Sequence, residues 1–208
     1  MMEREMKRLL KLKIKKQLLV VMELPNHKAT LANIESLIRE NPETNKDVHV
    51  FTTLVDNKAR KKSLSLRQSS ILIMAGFLWK YEGTYMLCVD VLCYILIANG
   101  HDLFNPIKRQ YVESLEEIGE VDQSTKLKFL ERHDFGMLIR KQDQKLRNKI
   151  AHHEYSFDDA GYVRLGNENI NIFSRFSDFA VFAGDAFIIL CECLEESPRP
   201  AKRRRQKS

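Results

Sequence analysis

Three apolar stretches with helical spacing, over residues 68–80, 82–98 and 173–196, constrain this chain more than anything else in it. Each is longer than a strand, and helix breakers are scarce, with only eight Gly and five Pro in 208 residues. Runs of this kind hide their apolar surface by packing against one another, so the fold expected is all-α. The first two stretches can join through Gly83, and Asn99-Gly100 supplies a C-cap that ends the second. Pro198 stops the third. No internal repeat, heptad run or strand–helix alternation competes with this reading.

The other elements are weaker. Leu9, Leu10, Leu12, Ile14, Leu18 and Val21 make an imperfect helical stripe over 5–24, stopped by Pro25. Residues 29–41 read as a short helix, 42–48 as a mobile polar stretch and 48–60 as a modest helix, and the stretch 58–62 is basic and expected to be exposed. Beyond the long pair, 106–118 is predicted as a helix with Pro in its first turn. Ser124 is expected to cap a short helix over 125–132, and a long helix follows over 134–154. Asp158, Asp159 and Gly161 break it, and 162–165 with 170–172, around Gly166-Asn167, suit a small β-hairpin. The sum is an up-and-down helical bundle of four to five core helices over 66–197. A basic helical extension, 1–65, precedes it, and a basic, disordered tail, 198–208, follows.

Charge is unevenly placed. The net charge is +6, yet residues 1–16 carry seven Lys/Arg against two Glu and 199–208 carry six Lys/Arg and no acid, which leaves the body at −5. Lys202, Arg203, Arg204 and Arg205 suit RNA phosphates, a nuclear import signal or a solubilising tail. The first helix likewise suits nucleic acid, a membrane surface or plain solvent. Cys88 and Cys93 share one apolar run and Cys191 and Cys193 another, without zinc-finger spacing. They read as buried reduced thiols, which fits a reducing, cytoplasmic compartment. The apolar run 18–22 is too short for a signal peptide. Residues 86–98 and 179–194, interrupted by Asp90 and Asp185, fall short of the roughly 20 residues a membrane span needs, so a soluble protein is expected.

One segment concentrates chemistry: Arg147-Asn148-Lys149-Ile150-Ala151-His152, then His153-Glu154-Tyr155. A permanent cation, an amide and two imidazoles lie within about two helical turns. RNA brings its own nucleophile, the 2′-OH beside each phosphate. A neutral imidazole accepts that proton, an imidazolium protonates the departing 5′-oxygen, and a guanidinium stabilises the pentacoordinate phosphorus. Arg147 and His152 differ by about 140° around a helix, so they do not share a face. Asn148 and His152, four apart, do, and the amide is placed to orient the imidazole. A plain structural role is the alternative: Arg147 paired with Asp143, and His152 capping helix-end carbonyls.

This segment resembles the Arg-Asn-x-x-Ala-His signature of HEPN domains (higher eukaryotes and prokaryotes nucleotide-binding). The long amphipathic helix upstream and the apolar helix downstream extend the likeness over residues 66–197. The resemblance implies a two-fold dimer with facing motifs. It also implies metal-independent endoribonuclease activity on single-stranded RNA in a toxin, RNA-restriction or stress-response role, or else a non-catalytic module that binds nucleotide, RNA or protein. It needs no cofactor and no metal. Carried onto this chain it assigns the catalytic pair to Arg147 and His152, with Asn148 beside them. His153 also fits the spacing, and the working imidazole stays open between the two. Some relatives are toxins paired with a nucleotidyltransferase that modifies a Tyr in His-x-Tyr. Here only His153-Glu154-Tyr155 matches, which bears on Tyr155 as a modification site.

Other candidates support or compete. Glu82 and Asp90 belong to the long apolar helix, where a buried carboxylate needs a partner, and Arg147 is an attractive one. Glu154 suits orienting an imidazole or solvent exposure. His101-Asp102 follows a helix end and reads as loop. Phe173, Phe176, Phe179, Phe182 and Phe187 recur at near-helical spacing, as a core or dimer seam does.

Overall fold

The first core helix starts where Ser65 closes a capping box with Gln68, each side chain bonding the other residue's backbone N–H. In the computed structural model, which describes residues 2–40, 53–54, 57, 63–159 and 162–197, that helix runs 33 residues without a break. It consists of α3 (Leu66–Lys80), a single π turn over Tyr81–Tyr85, and α4 (Met86–Ala98). Its end is the Asn99-Gly100 cap read from sequence. Gly100 adopts φ +85°, its N–H bonds Ile97 O, and His101 N–H bonds Leu96 O.

Around this axis stand α1 (Arg4–Glu23), α2 (His27–Glu40), α5 (Leu115–Gly119), α6 (Gln123–Arg132), α7 (Lys141–Ala151) and α8 (Ile172–Glu196). The architecture is an all-α bundle. α8 lies along α3 on one side and α1 on the other, while α4 packs on α5 and α6. Phe176, Phe179 and Phe182 of α8 are buried, with Phe173 and Phe187 half-buried at the edges. Phe179 is ringed by Phe77, Tyr81 and Tyr85 at centroid distances of 4.9, 5.4 and 5.6 Å. The π turn lets both tyrosines face that ring.

Leu10, Ile14, Leu18 and Val21 of α1 enter the same core. The lysines between them are not a free basic face. Lys7 pairs with Asp185 at 2.7 Å, Lys11 with Glu192 and Glu196 at 2.8 Å, and Lys15 with Glu196 at 2.5 Å, a four-residue ladder matched to acids of α8.

Two predicted helices are much shorter than expected. Over 106–118 the chain forms a hairpin of β1 (Phe104–Asn105) and β2 (Gln110–Tyr111), then the five-residue α5. Asn105 is the reason. Its side-chain oxygen accepts from Ile107 and Lys108 N–H at 3.0 and 3.2 Å, an Asx turn that competes with helix initiation. Arg109 closes the loop at φ +55°, and buried Leu103 and Val112 anchor its base. The expected long helix 134–154 is only α7. Asp134 takes φ +68°, Phe135 N–H bonds back to Leu130 O, and a 3-10 turn over Gly136–Leu138 places Phe135 and Leu138 in the core. The cap of α6 is Asp122 rather than Ser124, its carboxylate accepting from Thr125 N–H at 2.9 Å.

The expected hairpin after the motif is present and gains a strand. β3 (Ser156–Phe157), β4 (Val163–Leu165) and β5 (Glu168–Ile170) form an antiparallel sheet in that order. The helix expected over 48–60, the basic stretch 58–62 and the polar stretch 42–48 fall largely outside the described residues, and the tail from 198 wholly so.

Joined through the π turn, the span Leu66–Ala98 has the length and composition of a membrane-crossing helix, which its second half alone lacks. Two thirds (67%) of its apolar window is buried inside the bundle, a degree of burial compatible with a core helix.

Candidate functional site

The π turn is where the bundle's axis acquires a polar feature. A turn widened by one residue is uncommon in an α-helix and concentrates at functional positions. Here Tyr81 and Tyr85 go inward while Glu82, between them in sequence, stays at the surface. On α7 the residues sort just as sharply. Asp143, Leu146 and Ile150 are buried, and Arg147 lies at the edge of that face, toward the π turn.

Arg147 reaches Glu82. Its Nε and Nη2 both bond Oε1 of that carboxylate, and its Nη1 donates to Asn148 Oδ1 at 3.1 Å. The other carboxylate oxygen of Glu82 accepts from Gln123 Nε2 at 2.7 Å. Gln123, Glu82, Arg147 and Asn148 therefore form one chain of hydrogen bonds across three helices. The Arg147 side chain is 24% exposed and that of Glu82 41%, so the ion pair contributes at most about 1 kcal/mol to folding. Its effect is geometric, since a guanidinium held at three of its nitrogens has a fixed plane.

The imidazoles lie one turn further on. His152 is the C-cap of α7 and exposed. His153 follows at φ +58°, its N–H bonding Ile150 O, and Glu154 N–H closes on Lys149 O at 2.7 Å. This is a Schellman ending with His at the position that usually holds Gly, and a side chain in that backbone conformation costs about 1–2 kcal/mol. The His153 ring lies 6.3 Å from that of Tyr155, which itself sits 5.8 Å edge-on to Phe157. Among the described residues no hydrogen bond holds either imidazole. Asn148, expected to orient His152, engages Arg147 instead. Glu154 is exposed, and Tyr155 is half-buried against the core.

The carboxylates expected to compete for Arg147 are spoken for. Asp143 is 1% exposed and pairs with Arg140, whose guanidinium lies 4.8 Å from the Phe182 ring centroid. Burial pushes the Asp143 carboxyl above its ordinary range against the pull of Arg140. Asp90 bonds Lys126 at 2.8 Å, and burial raises its carboxyl too, partly offset by that lysine. Sequence reasoning missed Gln123 and Lys126, for nothing near them in sequence signals a partner 36 to 41 residues away.

The four cysteines are free thiols, Cys88, Cys93 and Cys193 buried and Cys191 half-buried; burial raises Cys193 to about 11 and Cys88 and Cys93 further. The His101 ring lies 4.3 Å from that of His133, tilted by 47°, and desolvation and that neighbour hold His133 below the usual imidazole range. Among the described residues no three His, Cys, Asp or Glu side chains cluster as a metal site would need. Comparison with family models, curated proteins and solved structures found no match to this chain.

Proposed function

We propose that the chain is a metal-independent endoribonuclease of the HEPN kind, acting on single-stranded RNA at a cleft shared by two copies. The observation that carries this reading is the Arg147 guanidinium, fixed by Glu82 and Asn148 beside a π turn, one helical turn before two solvent-facing imidazoles. In the reaction the 2′-oxygen attacks phosphorus as His152, or His153, takes its proton. The P–O5′ bond breaks, and an imidazolium returns a proton to the 5′-oxygen, leaving a 2′,3′-cyclic phosphate and a 5′-OH. Arg147 neutralises charge on the equatorial phosphoryl oxygens. Glu82 is a positioning residue for Arg147, and Asn148 holds the guanidinium's other edge.

The homodimer is part of the proposal. Ile71, Ala75 and Trp79 form an exposed stripe along α3 that ends one turn before Glu82. A second copy on that stripe buries the apolar surface and adds its own Arg147 and His152 to the cleft. This removes the difficulty that the two residues of one chain diverge around α7.

A second reading has its own support. The unheld imidazoles and the neutralised Arg147 suit a module that binds RNA, nucleotide or a protein such as a nucleotidyltransferase without cleaving. Purified protein, end-labelled single-stranded RNA and excess EDTA decide between them. Cleavage by the wild type, absent in Arg147→Ala and His152→Ala and leaving cyclic-phosphate ends, supports the enzyme. Binding by all three without turnover replaces it with the module.

A further inference from the structure

The solvent side of α7 carries charge of one sign. Lys141, Lys145 and Lys149 recur every four residues, about 6 Å apart along the axis. The helix's one carboxylate, Asp143, points inward and is buried. A solvated helix face ordinarily mixes signs. This segregation stands out in a body whose net charge is −5 once the basic ends are set aside. Lys141 has a loose contact with Glu131 at 3.6 Å; among the described residues Lys128, Lys145 and Lys149 have no carboxylate within ion-pair distance.

Grooves flank the lysine row on both sides. One, of about 330 Å³, lies between α6 and α7 and is lined by Lys128, Lys141 and Lys145, with Glu131 at its edge and Asn148 at its end. The other, of about 250 Å³, runs between α7 and β5 and is lined by Lys145, Lys149 and Arg175, with Glu168 opposite. Five cations against two carboxylates leave +3 around one short helix. The first groove also contains Ser124, the neighbour of the Gln123 that bonds Glu82, and it opens on Asn148, the neighbour of Arg147.

We propose that this face of α7 is a backbone track, on which Lys141, Lys145 and Lys149, helped by Lys128, bind the phosphates of single-stranded nucleic acid beside the scissile position. Lys141 to Lys149 covers about 12 Å, or three to four nucleotides of a stacked strand at about 3.4 Å each. The contacts are to phosphate, so the track is indifferent to base sequence and to the 2′-OH. It delivers the strand to the site, and Arg147 and the imidazoles act on whichever phosphate arrives. The inference rests on the ribonuclease reading for its purpose, though not for the binding itself.

The test uses full-length protein, EDTA and a fluorescent 2′-deoxy oligonucleotide, which cannot be cleaved by 2′-OH attack. Anisotropy titrations between about 50 and 200 mM salt give the dependence of affinity on salt. For single strands each phosphate contact contributes about −0.7 to the logarithmic slope. The triple variant K141Q/K145Q/K149Q is expected to flatten that slope by about 2, so that affinity lost across this range shrinks about 20-fold. R4Q/R8Q/K16Q removes three exposed cations from α1 and is the matched control, expected to change the slope little. Equal flattening by both triples would reduce the track to bulk charge and overturn it, as would an unchanged slope in the α7 triple. Circular dichroism of the triples shows whether the bundle is intact; should the α7 triple unfold, K128Q/K145Q repeats the test with two exposed positions, expected to lower the slope by about 1.4. Flattening specific to α7 without cleavage of RNA by the wild type would sink the ribonuclease reading and leave the track. Cleavage with an unchanged slope would do the reverse.

Discussion

Asp90 and Lys126 offer the sharpest energetic test of the bundle. The lysine side chain is 5% exposed, the aspartate 24%, and they meet at 2.8 Å between α4 and α6. Replacing Asp90 with Leu strands a nearly dry ammonium, and removing one partner of such a pair costs about 3 kcal/mol. At roughly 2–4 °C per kcal/mol for a protein of this size, Tm falls by about 6–12 °C. Lys126→Met is expected to cost less, about 1–2 kcal/mol, because the more exposed carboxyl, already raised by burial, can take a proton. The double variant D90L/K126M puts apolar volume on both sides and should lie within about 1 kcal/mol of the wild type. The pH dependence follows from the raised Asp90 value. Its contribution to stability is fully present below the unfolded value near 3.8 and is lost as pH rises through the folded one. The double variant should therefore gain on the wild type as pH rises above about 4. Urea unfolding followed by circular dichroism at several pH values measures all of this. If D90L is as stable as the wild type, or the double variant is worse than the sum of the singles, the pair is not what holds α4 to α6 and the reasoning fails.

Three further outcomes are expected. His153→Gly relieves the left-handed backbone and should raise stability by about 0.5–1 kcal/mol, read as a higher Tm; a lower Tm would mean that the ring's contact with Tyr155 outweighs the strain. Trp79→Glu places charge on the exposed stripe of α3, and light scattering should show a monomer with lost RNA cleavage and unchanged helix content. Glu196 is held down to about 2 by hydrogen bonds from Lys11 and then Lys15. Its contribution is therefore present above the unfolded value near 4.5 and disappears as pH falls toward 2, a loss that E196Q should lack in acid-unfolding curves.

Local pattern carried far. The periodic apolar runs became α3, α4 and α8, the Asn99-Gly100 cap sits where it was read, and Gly166-Asn167 turns a β-hairpin. In each case the signal is short-range, because a helix or tight turn is decided by neighbours within about four residues. The hairpin that stands where a helix is expected over 106–118 is also local in origin. Asn105-Pro106 is a turn initiator, and Leu103, Phe104 and Asn105 alternate buried and exposed, but the apolar residues after Pro106 masked that pattern.

The sequence by itself determined that this protein is helical, which faces of its helices are apolar, and that Arg147, Asn148, His152 and His153 cluster on one helix end. Tertiary structure alone decided what they touch. Arg147 found Glu82, 65 residues away, because a π turn built around Phe179 leaves that carboxylate at the surface facing α7. Asp90 found Lys126, and Lys7, Lys11 and Lys15 of α1 were matched by the acids of α8. Charge pairing between residues far apart in sequence has no short-range signature in a chain with 34 basic and 28 acidic residues. Which ions meet is fixed only when burial of the apolar faces has set the helices against one another.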